Sequence, residues 1–83
     1  MFSGRVQGVG FRATARSIAG SYAVSGWVRN EPDGTVLMEV QGATGAVEDF
    51  LASLRRRLGG FIASESSIAA SVVEREVGFE IRR

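Results

Sequence analysis

Apolar and polar positions alternate along this chain with two different periods, and these periods divide it into predicted helices and strands. Apolar residues recur at helical spacing in two segments, which predicts one helix beginning near Phe11 and a second ending near Leu58. Thr44 is the candidate N-cap residue of the second helix, and Gly59 lies just beyond its end. The two apolar stripes consist of Phe11, Ala15, Ile18, Ala19 and Tyr22, and of Val47, Phe50, Leu51, Leu54 and Leu58.

The remaining segments show the period of two or the chemistry of turns. Val24 to Asn30 and Thr35 to Gln41 are predicted to be strands, and the residues Glu31 to Gly34 between them are typical of a tight turn, so a hairpin is expected. The other segments are predicted to be a short strand at Met1 to Val6, a loop at Phe61 to Ser67, and strands at Ile68 to Val77 and Phe79 to Ile81 with a bend at Gly78.

The predicted order βαββαβ indicates an α+β fold of the ferredoxin-like kind, an antiparallel sheet with two helices on one face. At 83 residues the chain is expected to form a single domain, residues 1–83, around one core. Because this arrangement serves RNA-binding modules, metal chaperones and enzymes alike, function has to be argued from a site.

Composition removes several classes of chemistry. Ten basic and nine acidic residues leave a net charge of +1, too little to favour nucleic acid or an anionic membrane as a partner. An RNA-binding module would also want paired exposed aromatic residues on its central strands, and the chain has only one tryptophan and one tyrosine beside five phenylalanines. The chain contains no cysteine and no histidine, which excludes disulfides, thiolate nucleophiles and the usual zinc sites. We expect a cytoplasmic monomer without a cofactor or metal.

The segment from Gln7 to Gly10 is the candidate anion site. If it links a strand to a helix starting near Phe11, backbone N–H groups and the positive end of the helix dipole converge there. Arg12 in the first helical turn could then hold two oxygens of one phosphoryl group. Two interpretations remain open on these residues alone, because Gly-x-Gly more often marks an ordinary tight turn. The candidate phosphate-binding residues are Gln7, Gly8, Val9, Gly10, Phe11 and Arg12.

Two blocks of sequence together resemble the acylphosphatase family. The first is Ser3-Gly4-Arg5-Val6-Gln7-Gly8-Val9-Gly10-Phe11-Arg12, and the second is Gly26-Trp27-Val28-Arg29-Asn30 followed by Pro32-Asp33-Gly34. The resemblance implies hydrolysis of acyl phosphates without a metal ion, with Arg12 and the loop amides binding the phosphoryl group. It also implies that Asn30 holds the attacking water, whereas Asn30 without the resemblance would be interpreted as a turn residue. Inorganic phosphate or sulfate is expected to occupy the same loop.

The composition permits this chemistry, and one alternative function stays open. The leaving carboxylate has a conjugate acid with a pKa near 4, so it departs at neutral pH without a general acid. The alternative is an acylphosphatase-like module that binds an anion or carbamoyl phosphate within a larger protein, as in hydrogenase-maturation carbamoyltransferases. Members of the family usually carry several more residues before the position of Phe2, so we expect a short first strand here.

Overall fold

The protein is described by a computed structural model, which covers residues 1–66 and 78–82. Neither helix in these two ranges has the length and apolar character that crossing a membrane requires. The elements in chain order are β1 (Phe2–Gly4), α1 (Phe11–Ala19), β2 (Val24–Asn30), β3 (Val36–Gly42), α2 (Thr44–Leu58), a 3₁₀ turn (Gly59–Phe61), β4 (Ile62–Glu65) and β5 (Phe79–Arg82).

The strands form one sheet in the order β4-β1-β3-β2-β5. Neighbouring strands run antiparallel except at one edge, where β5 lies parallel to β2 with Phe79 opposite Gly26. The predicted ferredoxin-like α+β sandwich is confirmed. The sheet is mixed rather than wholly antiparallel because of this fifth strand.

Both helices cover the same face of the sheet. Alternate residues of a strand point to opposite faces, so Val28 and Asn30 of β2 share a face. Val28 is fully buried in a core that also contains Phe11 from α1 and Phe50 from α2. Asn30 therefore points to the helix-covered side, at the last position of its strand.

The first strand is short, as expected from the sequence. β1 is paired with β3 only where Phe2 lies opposite Val36, whereas it is paired with β4 at three positions. A further hydrogen bond from the backbone N–H of Ser66 to the carbonyl oxygen of Met1, at 3.0 Å, extends the contact with β4. Backbone pairing with β4 thus supplies much of the ladder that holds β1 in the middle of the sheet.

The end of α1 and the start of α2 differ slightly from the sequence prediction. α1 ends at Ala19 with Gly20 as its C-cap residue, so Tyr22 lies in the following turn, half-buried against the same core. α2 begins at Thr44 itself, and the N-cap residue is Ala43, which makes no side-chain capping bond. The prediction of Thr44 as the N-cap residue was wrong by one position.

The segment after α2 is more regular than the sequence indicates. The loop predicted at Phe61 to Ser67 instead begins as a 3₁₀ turn and continues as β4, since β1 offers backbone partners to these residues. Ser67 itself lies outside the described residues. The predicted strand at Ile68 to Val77 lies outside the described residues. The bend at Gly78 and the strand beginning at Phe79 are confirmed.

The sheet face opposite the helices carries the one tryptophan. Trp27 is only 7% exposed. The guanidinium carbons of Arg29 and Arg82 lie 5.0 and 4.9 Å from the centre of its ring. Each arginine is also paired with a carboxylate, Glu31 at 2.6 Å and Glu80 at 2.8 Å. These contacts give Trp27 a packing role on this face of the sheet.

Candidate active site

The loop between β1 and α1 is fixed at both ends by buried apolar side chains. Val6 is fully buried before the loop, and Phe11 is 2% exposed after it. The ring of Phe11 packs on that of Phe2, with 5.0 Å between the ring centres. Residues Gln7 to Gly10 form the turn between these anchors, as the sequence predicts.

Two glycines let this turn adopt a left-handed backbone. Gly8 and Gly10 both have φ of 78°, a conformation that side chains with a Cβ adopt only with strain. Gly10 is the N-cap residue of α1 in the left-handed region, with ψ of 21°. A Cβ built on either glycine would meet no atom of the described residues within 4 Å. Conformation, and not crowding by the protein, therefore requires glycine at both positions.

The N-terminus of α1 has backbone donors available. The backbone N–H of Thr14 donates to the carbonyl oxygen of Gly10 at 2.9 Å, and this is the first bond of the helix. The N–H groups of the preceding helical residues have no acceptor within the helix, and Gly10 provides no side-chain cap. The first turn holds no acidic residue. These donors lie at the positive end of the helix dipole, which favours an anion.

Arg12 is an unusual residue for this place. A cation in the first turn of a helix opposes the dipole, at a cost of about 0.3–1 kcal/mol at the surface. Its side chain is half-buried, and among residues 1–66 and 78–82 it has no ion-pair or hydrogen-bond partner. A local conflict of this kind is typical of a functional site, where a bound anion would resolve it.

Asn30 meets the loop from the other side of the site. It is half-buried at the end of β2, and its side-chain amide has no hydrogen-bond partner within the described part of the chain. An open cavity of about 490 Å³ brings it together with Arg12 and both loop glycines. The cavity is lined by Val6, Gly8, Gly10, Phe11, Arg12, Ala13, Asn30 and Ile81. Fixed donors from the loop, a guanidinium and an amide thus surround one space.

Gln7 and Val9, the other predicted phosphate-binding residues, are placed differently. Neither lines the cavity. Val9 is half-buried and packs against the core. The side-chain Nε2 of Gln7 donates to the carbonyl oxygens of Glu31 and Thr35, at 2.8 and 2.9 Å. The Gln7 side chain therefore contacts the β2–β3 turn.

Three residues of the cavity were not singled out from the sequence. Ala13 follows Arg12 in the first turn of α1, and Val6 ends the approach to the loop, so their positions beside the motif could have indicated them. Ile81 comes from β5, whose parallel pairing with β2 brings it opposite Val28. No local signal in the sequence reports that pairing, which joins residues far apart in the chain.

Acidic residues are sparse at the site. Among the residues the structure describes, no three of the types histidine, cysteine, aspartate and glutamate are grouped so that they could hold a metal ion. Asp33, in the β2–β3 turn, accepts hydrogen bonds from the hydroxyl and the backbone N–H of Thr35, at 2.6 and 3.0 Å. These bonds lower the pKa of Asp33, the hydroxyl bond contributing most. They explain Asp33 as a turn residue.

The chain is similar to known proteins over almost its full length. The model of the family described as acylphosphatase matches residues 1–81. An acylphosphatase from Clostridium acetobutylicum is 41% identical over 80 residues, which are 94% of this chain and 87% of that protein. One from Sinorhizobium medicae is 44% identical over 82 residues, which are 98% of this chain and 87% of that protein.

A solved structure agrees with these relatives. The crystal structure of an acylphosphatase from Bacillus subtilis matches with a TM-score of 0.85 and 28% identity, over 99% of this chain and 92% of that one. Together these matches confirm the resemblance that the two sequence blocks indicated, and with it the enzyme class. The chain belongs to the acylphosphatase family.

Proposed function

We propose that this protein hydrolyses acyl phosphates, the mixed anhydrides of a carboxylic acid and phosphoric acid, to carboxylate and phosphate without a metal ion. One observation carries the proposal: Arg12, the loop glycines and Asn30 line the same cavity although they come from separate elements. The substrate class follows from family membership together with a site that offers donors for a phosphoryl group.

The loop and Arg12 bind the phosphoryl group. Backbone N–H groups at the start of α1 donate to its oxygens, and the guanidinium of Arg12 donates to two oxygens at once. These donors are held by the fold before substrate arrives, because Val6 and Phe11 anchor the loop in the core. They stabilise the charge of the transition state without rearranging.

Asn30 orients the attacking water. The water oxygen forms a bond to phosphorus while the bond from phosphorus to the acyl oxygen breaks, and the carboxylate leaves with that electron pair. The water gives up its proton to solvent or to the phosphate product. Because the transition state of phosphoryl transfer is loose, positioning and charge stabilisation supply most of the rate, and no histidine or cysteine is needed.

Turnover of benzoyl phosphate by the purified protein, in the presence of a chelator, tests the proposal. Arg12→Ala should lower kcat/KM by about two to three orders of magnitude, the usual loss for a transition-state donor. Asn30→Ala should lower kcat by about 10²-fold or more while the Kd for inorganic phosphate stays close to the wild-type value. The matched control is Arg16→Ala, an exposed arginine on α1 that does not line the cavity.

The outcomes separate the alternatives. Unchanged turnover in Arg12→Ala would refute the site assignment, and loss of turnover on adding the chelator would refute metal independence. A wild-type protein that binds phosphate but does not turn over benzoyl phosphate would favour the anion-binding module instead. An equal loss in Arg16→Ala would mean that the effect of Arg12 is one of general charge.

A further inference from the structure

The Gln7 side chain joins two parts of the candidate active site. Gln7 opens the loop that continues to Arg12, and its side chain reaches the turn that directly follows Asn30. Its Nε2 donates to the carbonyl oxygen of Glu31 at 2.8 Å and to that of Thr35 at 2.9 Å. A carboxamide nitrogen carries two hydrogens, so both donors are used and none is left for a phosphoryl oxygen.

The turn that Gln7 contacts is closed by its own bonds as well. The backbone N–H of Glu31 donates to the carbonyl oxygen of Thr35 at 2.9 Å, and that of Gly34 donates to the carbonyl oxygen of Glu31 at 3.1 Å. Each carbonyl that binds Gln7 therefore already accepts one backbone bond. Losing the Gln7 side chain would leave the turn closed, but it would leave the turn free to move relative to the loop.

We propose that Gln7 is a positioning residue, which sets the distance between the phosphate-binding loop with Arg12 and the water-binding Asn30. This inference rests on the proposed function and refines it, since the sequence alone placed Gln7 among the phosphate-binding residues. Its bonds span 24 and 28 positions in the chain and connect the only two segments to which we assign catalytic side chains. Misplacement of a reacting group by about 1 Å can cost a hundredfold in rate.

Gln7→Met tests the inference, because methionine has a similar length and no donor. We expect kcat to fall about 10- to 100-fold while the Kd for inorganic phosphate, which needs only the loop and Arg12, stays within about twofold. The control is Ser53→Ala on α2, which removes a buried hydroxyl that is hydrogen-bonded to the Tyr22 hydroxyl and to Arg56, away from the cavity. It should lower stability and leave kcat within about twofold.

The pH dependence of kcat in Gln7→Glu adds a second measurement. A purely structural role would not predict that kcat changes with pH while the affinity for phosphate stays constant. At neutral pH the carboxylate of Gln7→Glu would face two carbonyl oxygens, so this variant should be slower than Gln7→Met. Its kcat relative to wild type should rise as pH falls through the carboxyl pKa, near or above about 4.3, because a protonated carboxyl donates one hydrogen bond. A flat ratio would count against the inference.

Two results would overturn it: wild-type kcat in Gln7→Met, or a phosphate Kd that rises by the same factor as kcat/KM falls, which would make Gln7 a binding group. The proposed function fails separately, if the wild-type protein shows no turnover. In that case the side-chain amide signals of Asn30 in NMR spectra still test whether Gln7 positions Asn30. They should shift in Gln7→Met and not in Ser53→Ala, and unmoved signals in both would refute the coupling.

Discussion

Three glycines of this chain have nearly the same positive φ but not the same location, which allows the role of the loop to be tested. Gly8 and Gly10 lie in the cavity with φ of 78°, and Gly78 precedes β5, outside the cavity lining, with φ of 76°. At none of the three would a Cβ meet an atom of the described protein within 4 Å. Alanine at each position therefore introduces strain of the same kind, without a steric clash against the described residues.

The expected loss of stability is small and similar at the three positions. An L-residue in the left-handed region costs about 1–2 kcal/mol. Replacing glycine by alanine also restricts the unfolded chain, which offsets about 0.4–1 kcal/mol of this. The net loss should be about 1 kcal/mol, which corresponds to a fall in Tm of about 4–8 °C for a domain of this size.

The expected loss of activity differs between the positions. A phosphoryl oxygen must come within about 3 Å of the loop N–H groups, and a methyl group on Gly8 or Gly10 would obstruct that approach or turn an amide away. We expect kcat/KM for benzoyl phosphate to fall about 10- to 100-fold in Gly8→Ala and Gly10→Ala. Gly78→Ala should stay within about twofold of wild type.

Thermal unfolding and steady-state kinetics on the same three preparations provide the measurement. Values of kcat/KM close to wild type in both Gly8→Ala and Gly10→Ala would refute the assignment of the loop as the phosphate site. A loss of activity in Gly78→Ala as large as in Gly10→Ala would show instead that turnover follows stability.

Two further predictions concern stability. Phe50 is fully buried, and its ring centre lies 6.5 Å from that of Tyr22 and 5.7 Å from that of Phe79. Phe50→Ala should therefore lower the free energy of unfolding, measured by urea titration, by about 3–5 kcal/mol. A loss below about 1 kcal/mol would contradict the place of Phe50 in the core. Hydrogen bonds from Arg55 lower the pKa of Glu65, so this pair stabilises the fold above the unfolded pKa of about 4.3 and stops doing so as pH falls through the lower folded value. Because the pair is largely exposed, Glu65→Gln should lower the free energy of unfolding by at most about 1 kcal/mol at pH near 7. At a pH of about 2 the substitution should not lower it, and the same loss at both pH values would refute the link to ionisation.

The sequence predicts the elements whose own residues carry the pattern. The hairpin is an example, because the period of two in β2 and β3 and the turn chemistry at Asp33 and Gly34 all agree. The start of α1 was predicted correctly, because Phe11 follows the glycine-containing turn. The helix ends earlier than predicted, because Gly20 terminates it before Tyr22. Family and enzyme class were also predicted correctly, from two motif blocks.

What the sequence does not predict depends on partners far away in the chain. β4 has one large apolar residue, Ile62, and its strand conformation comes from pairing with β1. The two bonds of Gln7 reach Glu31 and Thr35 through the fold, and a glutamine beside Gly-x-Gly gives no sign of them. The roles of Arg12 and Asn30 remain predictions that the kinetic experiments above test.

The arginine-covered tryptophan has a practical consequence for these experiments. Trp27 is the only tryptophan of the chain and lies on the sheet face opposite Asn30, since three positions along a strand reverse the side. Its fluorescence should therefore respond to the breakdown of the sheet, when water replaces the two guanidinium groups, and hardly to an anion in the cavity. Unfolding followed by this emission, with and without phosphate, would report ligand binding only through the shift of the midpoint, free of a direct optical effect of the ligand.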